Sequence, residues 1–266
     1  MKWAGGKRRV LPMLLDKAPS EWDGYHEPFI GGGALFFALA SRNCLRGRTV
    51  LSDMNSRLIR SYLMVRDQVE PLIGRLKEHE ALHSKDHYYA TRARDIDSDN
   101  DIEVAAWMIY LNKTGFNGLY RVNKKGGFNV PMGRYKNPNI CDEKNLRACN
   151  SILQGVEIYH QGFDGVLERA GKGDFVYFDP PYVPVSATAS FTAYTSDGFT
   201  LADQERLRDT ASALKERGVS VMLSNADHPR VRKLYTPGFR KHTIQVGRAI
   251  NSAASRRGSV AELIIR

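Results

Sequence analysis

The four residues Asp179-Pro180-Pro181-Tyr182 directly follow a short apolar run, Phe175 to Phe178, that is typical of a buried strand. Each proline fixes φ and lacks a backbone N–H, so this tip offers hydrogen-bond acceptors, namely backbone carbonyls and the Asp179 carboxylate. Acceptors placed side by side suit the amino group of a substrate. The Tyr182 ring can stack on an aromatic system that bears this amino group.

The exocyclic N6 of adenine is an amino group of this kind, and it is a poor nucleophile because its lone pair is delocalised into the ring. If Asp179 and the Pro180 carbonyl each accept one N6 hydrogen, the nitrogen moves toward tetrahedral geometry and its lone pair can face a methyl donor. The base must first leave the duplex, since the donor cannot reach it there. The predicted catalytic residues are therefore Asp179, Pro180, Pro181 and Tyr182.

A glycine-rich turn, Gly31-Gly32-Gly33, follows one apolar run and precedes a helical pattern. Such glycines let the backbone approach a ligand at the carboxyl ends of strands in an α/β sheet. About twenty residues later Asp53 ends the next apolar run, where a carboxylate can accept hydrogen bonds from two ribose hydroxyls. Together they predict an adenosine-bearing cofactor. Gly5-Gly6-Lys7 is followed by Arg8 instead of a Mg²⁺-binding Ser or Thr, which excludes a P-loop triphosphatase.

A large sheet is needed to position these groups. Helical patterns at Ala34 to Arg42 and Leu201 to Arg217 alternate with apolar runs, which predicts the α/β class with a parallel, helix-covered sheet. The seven predicted strands are Tyr25 to Phe29, Thr49 to Asp53, Val156 to Tyr159, Phe175 to Phe178, Val219 to Ser224, His242 to Val246 and Val260 to Ile265.

The stretch from about Asn55 to Asn150 interrupts this rhythm and predicts a mostly helical insertion. Within it, the segment from Leu111 to Ile140 contains six basic residues and no acidic one. Basic groups bind phosphates and aromatic faces stack on or wedge between bases, so the mixture favours a loop that faces nucleic acid, with a turn-rich solvated loop as the alternative. Its aromatic residues are Phe116, Tyr120, Phe128 and Tyr135.

The composition agrees with one main domain that carries an insertion. The chain has 266 residues, 39 Lys and Arg against 29 Asp and Glu, and a net charge of +10, which favours a polyanionic partner. Three cysteines without a C-x-x-C pair indicate neither disulfides nor a cysteine zinc site. No apolar run approaches the roughly 18 residues of a membrane span, so we expect a soluble, unsecreted protein in a reducing cytoplasm.

These motifs, in this order, resemble the Dam family of DNA adenine-N6 methyltransferases, in the alpha arrangement where a target-recognition insert separates cofactor and catalytic motifs. The resemblance implies a Rossmann-like, seven-stranded S-adenosylmethionine-dependent methyltransferase domain formed by residues 1–55 and 151–266. It implies a target-recognition domain at 56–150 with a hairpin near 111–140. It further implies S-adenosylmethionine as cofactor, double-stranded DNA as partner, no metal, and a cytoplasmic monomer that associates with the nucleoid when bound to DNA.

The cofactor motifs of the family have counterparts here. The run from Lys2 to Lys7 resembles its N-terminal motif, the run from Glu27 to Gly33 is similar to its F-x-G-x-G motif, and Phe163-Asp164 corresponds to the pair beside the cofactor adenine. The resemblance thus implies nine cofactor-binding residues: Trp3, Lys7, Phe29, Gly31, Gly33, Asp53, Phe163, Asp164 and Asp179.

The insert resembles the Dam recognition hairpin at Leu111 to Arg121 and Phe128 to Arg134, and the family targets GATC. By resemblance, Arg121 would read a guanine edge, Leu119 and Pro131 would contact a thymine methyl, and Arg134 would bind phosphate. The implied DNA-binding residues are Lys113, Phe116, Asn117, Leu119, Arg121, Asn123, Pro131 and Arg134. Two later runs, Phe191 to Tyr194 and Ser224 to Asp227, also look family-like.

Two other functions stay open at this point. Tips of the D-P-P-Y type also serve RNA base methylation and, with a different first residue, cytosine N4 methylation. Asp179 favours adenine, and the insert favours duplex DNA. The absence of a Pro-Cys dipeptide excludes a C5-cytosine enzyme. A DNA-binding protein with a silent fold is disfavoured, because every expected catalytic position is filled.

Two metal-like patterns are also present. His79-Glu80-Ala81-Leu82-His83 spells H-E-x-x-H, with His87 a possible third zinc ligand, as in a metalloprotease. The polar neighbourhood favours a chance match on a solvated helix. Asp95, Asp97, Asp99 and Asp101 begin like a calcium loop, but Asn100 replaces the needed Gly and Ala106 the bidentate Glu, so we expect an exposed acidic turn.

Overall fold

The computed structural model describes residues 3, 6–182, 199–236, 238–247 and 259–266. Seven strands form one sheet: β1 (Tyr25–Glu27), β2 (Thr49–Asp53), β3 (Glu157–His160), β4 (Phe175–Phe178), β5 (Ser220–Ala226), β6 (Lys241–Gly247) and β7 (Ser259–Ile265). Their order is β3-β2-β1-β4-β5-β7-β6, and the class is α/β, as predicted. The predicted bounds of β2 and β4 agree with the structure, and the other strands differ by one or two residues at an end.

The direction of the last two strands differs from the prediction. Strand β1 pairs in parallel with β2 and β4, and β4 pairs in parallel with β5. Strand β7, however, is antiparallel to both β5 and β6. The expectation of a parallel sheet is therefore wrong at this edge, because consecutive strands that pair antiparallel need no crossover helix.

Two compact units are distinguished among the described residues. The helical unit comprises residues 3, 6 and 52–161, and the sheet unit comprises 7–51, 162–182, 199–236, 238–247 and 259–266. No helix in these residues is both long and apolar enough to cross a membrane. The family-like run Phe191 to Tyr194 lies outside the described residues, as do Lys2, Ala4 and Gly5 of the N-terminal motif.

In the helical unit, side chains of Asn, Ser and Asp cap four of the helices by accepting a backbone hydrogen bond in the first turn. Helix α6 (Asp101–Thr114) forms the centre of this unit, since every residue from Val104 to Leu111 is buried. Helix α7 (Glu143–Leu153) extends past 150, so the predicted domain boundary at 150/151 falls inside a helix. The five helices are α3 (Ser56–Asp67), α4 (Val69–Ala81), α5 (Lys85–Ala93), α6 (Asp101–Thr114) and α7 (Glu143–Leu153).

The sheet unit contains the buried strands that position the D-P-P-Y tip. All four residues of β4 are buried, as expected for a central parallel strand covered on both faces. Helix α8 (Leu201–Glu216) carries an apolar stripe of Leu207, Ala211 and Leu214 that packs in one core cluster with Phe178 and Leu223. The four helices are α1 (Leu11–Lys17), α2 (Ala34–Ala40), α8 (Leu201–Glu216) and α9 (Pro229–Leu234).

Candidate active site

The D-P-P-Y tip begins where β4 ends. The Asp179 carboxylate oxygen Oδ1 lies 2.9 Å from Lys7 Nζ, and the two side chains are 20% and 6% exposed. The same ammonium lies over the Tyr182 ring, 4.6 Å from its centroid. The Tyr182 hydroxyl donates a hydrogen bond of 2.8 Å to Glu262 Oε2. Four polar side chains thus fix one another at the carboxyl end of a central strand.

Two effects act in opposite directions on the pKa of Asp179. Burial raises the pKa of the Asp179 carboxyl above its usual value, while the charge and hydrogen bond of Lys7 act to lower it. Lys7 therefore favours the ionised form, which accepts hydrogen bonds. Burial, followed by the nearby charges of Asp179 and Glu262, raises the pKa of the Tyr182 hydroxyl well above its usual value. Tyr182 consequently remains a neutral donor.

The resemblance implies a cofactor-binding role for Lys7, and no motif in the sequence predicts a role for Glu262. The structure places Lys7 on the predicted catalytic carboxylate, and β7 brings Glu262 to the predicted catalytic tyrosine. A signal for Glu262 was present, since it is a charged residue followed by three residues that are completely buried, Leu263, Ile264 and Ile265. The partner could not be read from the sequence, because it lies 80 positions earlier.

The glycine turn lies between β1 and α2. Gly31 and Gly33 adopt positive φ angles of 44° and 65°, which favour glycine, and Gly33 is the N-cap of α2 without a side-chain cap. Glu27, at the end of β1, stabilises the turn: its Oε2 accepts hydrogen bonds from the Tyr25 hydroxyl at 2.6 Å and from the Phe36 amide at 3.2 Å. The Glu27 side chain therefore joins the strand before the turn to the helix after it.

An aromatic cluster of the sheet unit includes two residues predicted at the cofactor. The rings of Phe29 and Phe163 stack at 5.5 Å, and Phe199 packs edge-on against both. Arg206 lies over the Phe163 ring at 5.2 Å and 3.5 Å from the Asp164 carboxylate. Aromatic faces, an adjacent carboxylate and a glycine turn are the groups that an adenosine-bearing cofactor requires, so these residues fit the predicted ligand.

Asp53 and Trp3, also predicted at the cofactor, belong to the helical unit. Asp53 ends β2, and its Oδ1 accepts a 2.9 Å hydrogen bond from the Asn55 amide. The Asn55 side chain in turn caps α3. The turn between β2 and α3 thus orients the carboxylate. The Trp3 ring stacks on Tyr120, with centroids 5.7 Å apart. Contacts of both residues with a cofactor stay predictions.

The segment between α6 and α7 folds back on itself; we call residues 115–134 the recognition loop. Antiparallel bridges join Gly115 to Met132 and Val122 to Phe128. At its tip, Asn123 Oδ1 accepts hydrogen bonds from two backbone amides at 2.9 and 3.0 Å. The predicted DNA-binding residue Asn123 is exposed and also shapes this turn.

The loop separates its predicted DNA-binding residues from its buried ones. Leu119 and Arg121 are half-buried, as is Lys113 at the end of α6, and the five other predicted DNA-binding residues are exposed: Phe116, Asn117, Asn123, Pro131 and Arg134. Tyr120 and Phe128, expected among the base-stacking aromatics, are instead 7% and 6% exposed. They pack against each other, and Phe128 packs on Trp107. The interpretation that they face bases is wrong, because they form the core beneath the loop.

Among the residues that the structure describes, Asn129 on the opposite side of the loop holds the Arg121 side chain. Its Nε donates to Asn129 Oδ1 at 2.6 Å, and its Nη2 donates to the Asn129 carbonyl at 3.2 Å. The Asn129 amide in turn donates to the Arg121 carbonyl at 3.0 Å. Both contacts use one edge of the guanidinium, which leaves its Nη1 end for another partner.

The acidic turn is exposed at Asp95, Asp97 and Asp101, as predicted, and Asp99 is half-buried. Asp97 accepts two hydrogen bonds of 2.7 Å from Arg57, and Arg57 Nη1 also donates to the Gly126 carbonyl of the recognition loop at 3.1 Å. Arg60 donates to the Asp101 carboxylate and to the Asp99 carbonyl. The turn is therefore paired with two arginines of α3, and Arg57 joins α3 to the loop.

The H-E-x-x-H pattern does not lie on a solvated helix face. Helix α4 ends at Ala81, His79 is 2% exposed, and its ring stacks on Tyr110 at 4.7 Å. His79 Nδ1 lies 3.0 Å from His87 Nε2, and His83 Nδ1 lies 2.9 Å from the Tyr110 hydroxyl. Burial lowers the pKa of His79 to about 4. In the portions of the chain that the structure describes, no three His, Cys, Asp or Glu side chains are arranged to hold a metal ion.

Comparison with known proteins gives similarities over nearly the whole chain. Residues 3–250 match the family of D12 class N6 adenine-specific DNA methyltransferases. The Type II methyltransferase M1.LlaDCHI of Lactococcus lactis subsp. cremoris is 43% identical over 270 residues, covering 99% of this chain and 93% of that protein. Type II methyltransferase M.MjaIII of Methanocaldococcus jannaschii is 40% identical, covering 100% and 97%. A DNA adenine methylase of Escherichia coli (strain K12) is 35% identical, covering 99% and 93%.

Proposed function

The chain belongs to the D12 class N6 adenine-specific DNA methyltransferases, and we propose that Asp179 and the Pro180 carbonyl bind the amino group that it methylates. Its cofactor is S-adenosylmethionine and its substrate is DNA. The observation that supports these catalytic roles is the ion pair of Asp179 with Lys7, which favours an ionised acceptor directly before two prolines. Neither proline can donate a backbone hydrogen bond, so the tip presents acceptors to the amino group.

The two acceptors activate N6 through position and charge. Each accepts a hydrogen bond from one N6–H group, which turns the nitrogen lone pair out of the ring plane, and the nitrogen loses one of these protons once it has been methylated. S-adenosylmethionine supplies an electrophilic methyl group on a sulfonium. As the N6 nitrogen becomes positive in the transition state, the Asp179 carboxylate stabilises that charge. Lys7 covers one face of the Tyr182 ring, so the target base would stack on the opposite face.

The proposed cofactor site uses the glycine turn with Gly31 and Gly33 and the aromatic pair Phe29 and Phe163. Asp164 lies beside Phe163 and suits the amino group of the cofactor adenine. Three further residues complete the proposal: Asp53 for the ribose hydroxyls, and Trp3 and Lys7 for the remainder of the cofactor. Lys7 would serve the cofactor while it holds Asp179.

For the target sequence we propose GATC, read by the recognition loop within the recognition domain at 56–150. The exposed residues Phe116, Asn117, Pro131 and Arg134 stand on one loop with the half-buried Leu119 and Arg121. Asn129 fixes one edge of the Arg121 guanidinium, and the Nη1 end can contact the N7 and O6 acceptors of a guanine. A pre-positioned arginine loses little side-chain entropy when it reads a base.

Transfer of labelled methyl from S-adenosylmethionine to matched nucleic acids tests the reaction and the site. The substrates are a duplex with one GATC, duplexes with a single substitution within it, a duplex in which cytosine replaces the target adenine, and the corresponding RNA. We expect labelled N6-methyladenine in the GATC duplex alone. Equal transfer to GATC-free duplexes would overturn the specificity, and absence of transfer to any adenine would overturn the reaction.

Arg121→Ala is expected to weaken discrimination at one guanine of the site by about 1–3 kcal/mol, because the bidentate contact with the base edge is lost. The measurement compares kcat/KM on GATC with kcat/KM on duplexes substituted at that guanine. Arg134→Ala is the matched control: loss of a phosphate contact should weaken binding to all sequences alike and reduce the salt dependence by about one ion. A uniform loss for Arg121→Ala would contradict the assignment.

We further propose that the protein acts as a monomer in the cytoplasm, associated with the nucleoid when bound to DNA, and needs no metal. Size-exclusion chromatography with light scattering tests the oligomeric state. Methyl transfer in the presence of EDTA tests the metal requirement, and a chelator-sensitive rate that zinc restores would contradict it.

A further inference from the structure

A chain of buried side-chain amides ends on the D-P-P-Y tip. Gln204, in the first turn of α8, donates from Nε2 to the Pro181 carbonyl at 3.3 Å. Its Oε1 accepts a 3.0 Å hydrogen bond from Asn225 Nδ2, at the end of β5. Gln204 and Asn225 are both 0% exposed. Asn225 belongs to the run Ser224 to Asp227, to which the proposed function gives no role.

The direction of this chain is set by the backbone. Asn225 Oδ1 accepts the Ala226 amide at 2.9 Å, and an amide N–H can only donate. The Asn225 Nδ2 must then point toward Gln204, which places Oε1 of Gln204 there as acceptor. Its Nε2 is left to donate to Pro181. Any flipped amide would place two donors or two acceptors together in a dry environment, which is costly.

The neighbouring contacts hold both amides rigidly. Thr200 and Asp203 form a reciprocal cap at the start of α8, with bonds of 2.9 Å and 3.2 Å, so the turn that carries Gln204 is fixed. On β5, the Ser224 hydroxyl shares a 2.7 Å hydrogen bond with the Tyr177 hydroxyl of β4. The donor that reaches Pro181 is therefore anchored to two elements of the sheet unit.

We propose that Gln204, oriented by Asn225, is a positioning residue for methyl transfer that sets the angle at which Tyr182 leaves the tip. This inference rests on the proposed catalytic role of the tip. Proline rings fix φ at 180 and 181, and the following proline restricts ψ of Pro180, so ψ of Pro181 is the least restricted torsion of the two prolines before Tyr182. The Pro181 carbonyl moves with that rotation, and the Gln204 hydrogen bond arrests it.

Because of the hydrogen bond from Gln204, the two proline carbonyls have different roles. Gln204 engages the Pro181 carbonyl, while the Pro180 carbonyl is the acceptor proposed for the substrate amino group. At its far end, Tyr182 is held by Glu262. Gln204 and Glu262 thus restrain the two ends of the residue that would stack on the target base. A displacement of roughly 1 Å at such a site can cost about a hundredfold in rate.

Gln204→Met tests the donor, because methionine is of similar length and cannot donate. We expect the single-turnover rate of methyl transfer to fall by about 100-fold, with the Kd for S-adenosylmethionine and for the GATC duplex within about threefold of wild type. The exposed neighbour Glu205→Met is the matched control on the same helix and should retain the wild-type rate. A Gln204→Met rate within about threefold of wild type would overturn the proposal.

Gln204→Glu provides a readout that a purely structural role would not produce. A neutral Glu has one O–H to donate to Pro181 and one oxygen to accept from Asn225, whereas an ionised Glu has no donor. Burial keeps a carboxyl neutral to a higher pH. We expect the ratio of the Gln204→Glu rate to the wild-type rate to be highest at about pH 6 and to fall by a factor of about ten or more at about pH 9. A ratio that is constant with pH would overturn the proposal.

Asn225→Leu tests the second link. If Asn225 acts through Gln204, the double variant Gln204→Met with Asn225→Leu should be no slower than Gln204→Met alone. Independent, multiplicative losses would contradict the chain. Wild-type transfer to GATC and the Asp179→Ala variant, measured in parallel, separate the two hypotheses. An inactive wild type or a fully active Asp179→Ala overturns the proposed function. If these two behave as expected but the Gln204 variants keep the wild-type rate, only the positioning role is overturned.

Discussion

Asp179→Ala is expected to lower the rate of methyl transfer by at least about a thousandfold while DNA binding persists, since one preorganised electrostatic contact contributes on this order. The substitution removes both the proposed acceptor for N6 and the charge proposed to stabilise the transition state. Labelled-methyl transfer under single-turnover conditions measures the rate, and fluorescence anisotropy with a GATC duplex measures binding. A fully active Asp179→Ala protein would refute the proposed mechanism.

The same substitution also removes the carboxylate that lies 2.9 Å from Lys7 Nζ, and the Lys7 side chain is 6% exposed. Removing one member of a buried ion pair destabilises the fold, so a loss of activity must be distinguished from unfolding. The double variant Lys7→Met with Asp179→Ala removes both charges and should regain stability without regaining activity. Asp179→Asn keeps the shape and one acceptor, and should retain more activity than Asp179→Ala.

Glu27→Gln is expected to abolish a steep loss of stability with rising pH. Burial raises the pKa of Glu27 from its usual 4.5 to about 8, although hydrogen bonds from Tyr25 and Phe36 act in the opposite direction. The folded protein therefore keeps this carboxyl protonated, while the unfolded chain ionises near 4.5. The corresponding stability is complete below pH 4.5 and is lost progressively up to pH 8, at about 1.4 kcal/mol per pH unit and roughly 5 kcal/mol in all.

Urea unfolding between pH 5 and 8.5 measures this effect. The difference in unfolding free energy between Glu27→Gln and wild type should shift in favour of the variant as pH rises, because the amide has no proton to lose. Glu205→Gln, an exposed position, is the control and should give a curve parallel to wild type. Parallel curves for Glu27→Gln as well would refute the raised pKa.

The sequence predicted the tip and its strand well because both depend on local chemistry. Phe175 to Phe178 is a continuous apolar run bounded by Asp174 and Asp179, and such a run is confined to one buried element. Strand direction is different in kind. Nothing within Ser259–Ile265 indicates whether it pairs parallel or antiparallel, since that depends on which neighbour it meets.

The residues whose burial or role the sequence does not predict lie in segments without a periodic pattern or have partners far away in the chain. Tyr120 and Phe128 alternate with basic residues in a loop, where no period tells which side chains face inward. Polar neighbours predict a solvated His79, whereas its ring stacks on Tyr110, 31 positions later. The partners of Gln204 lie 23 and 21 positions away, and an amide gives no hint of either.

The position of β7 has a consequence for synthesis. This strand lies between β5 and β6 although it follows both in the chain, so β6 has no neighbour in the sheet until residues 259–265 have emerged from the ribosome. Until then the edge of β5 is unpaired, and Tyr182 lacks Glu262. A nascent chain thus carries a tip without its Glu262 contact until this late strand has been inserted.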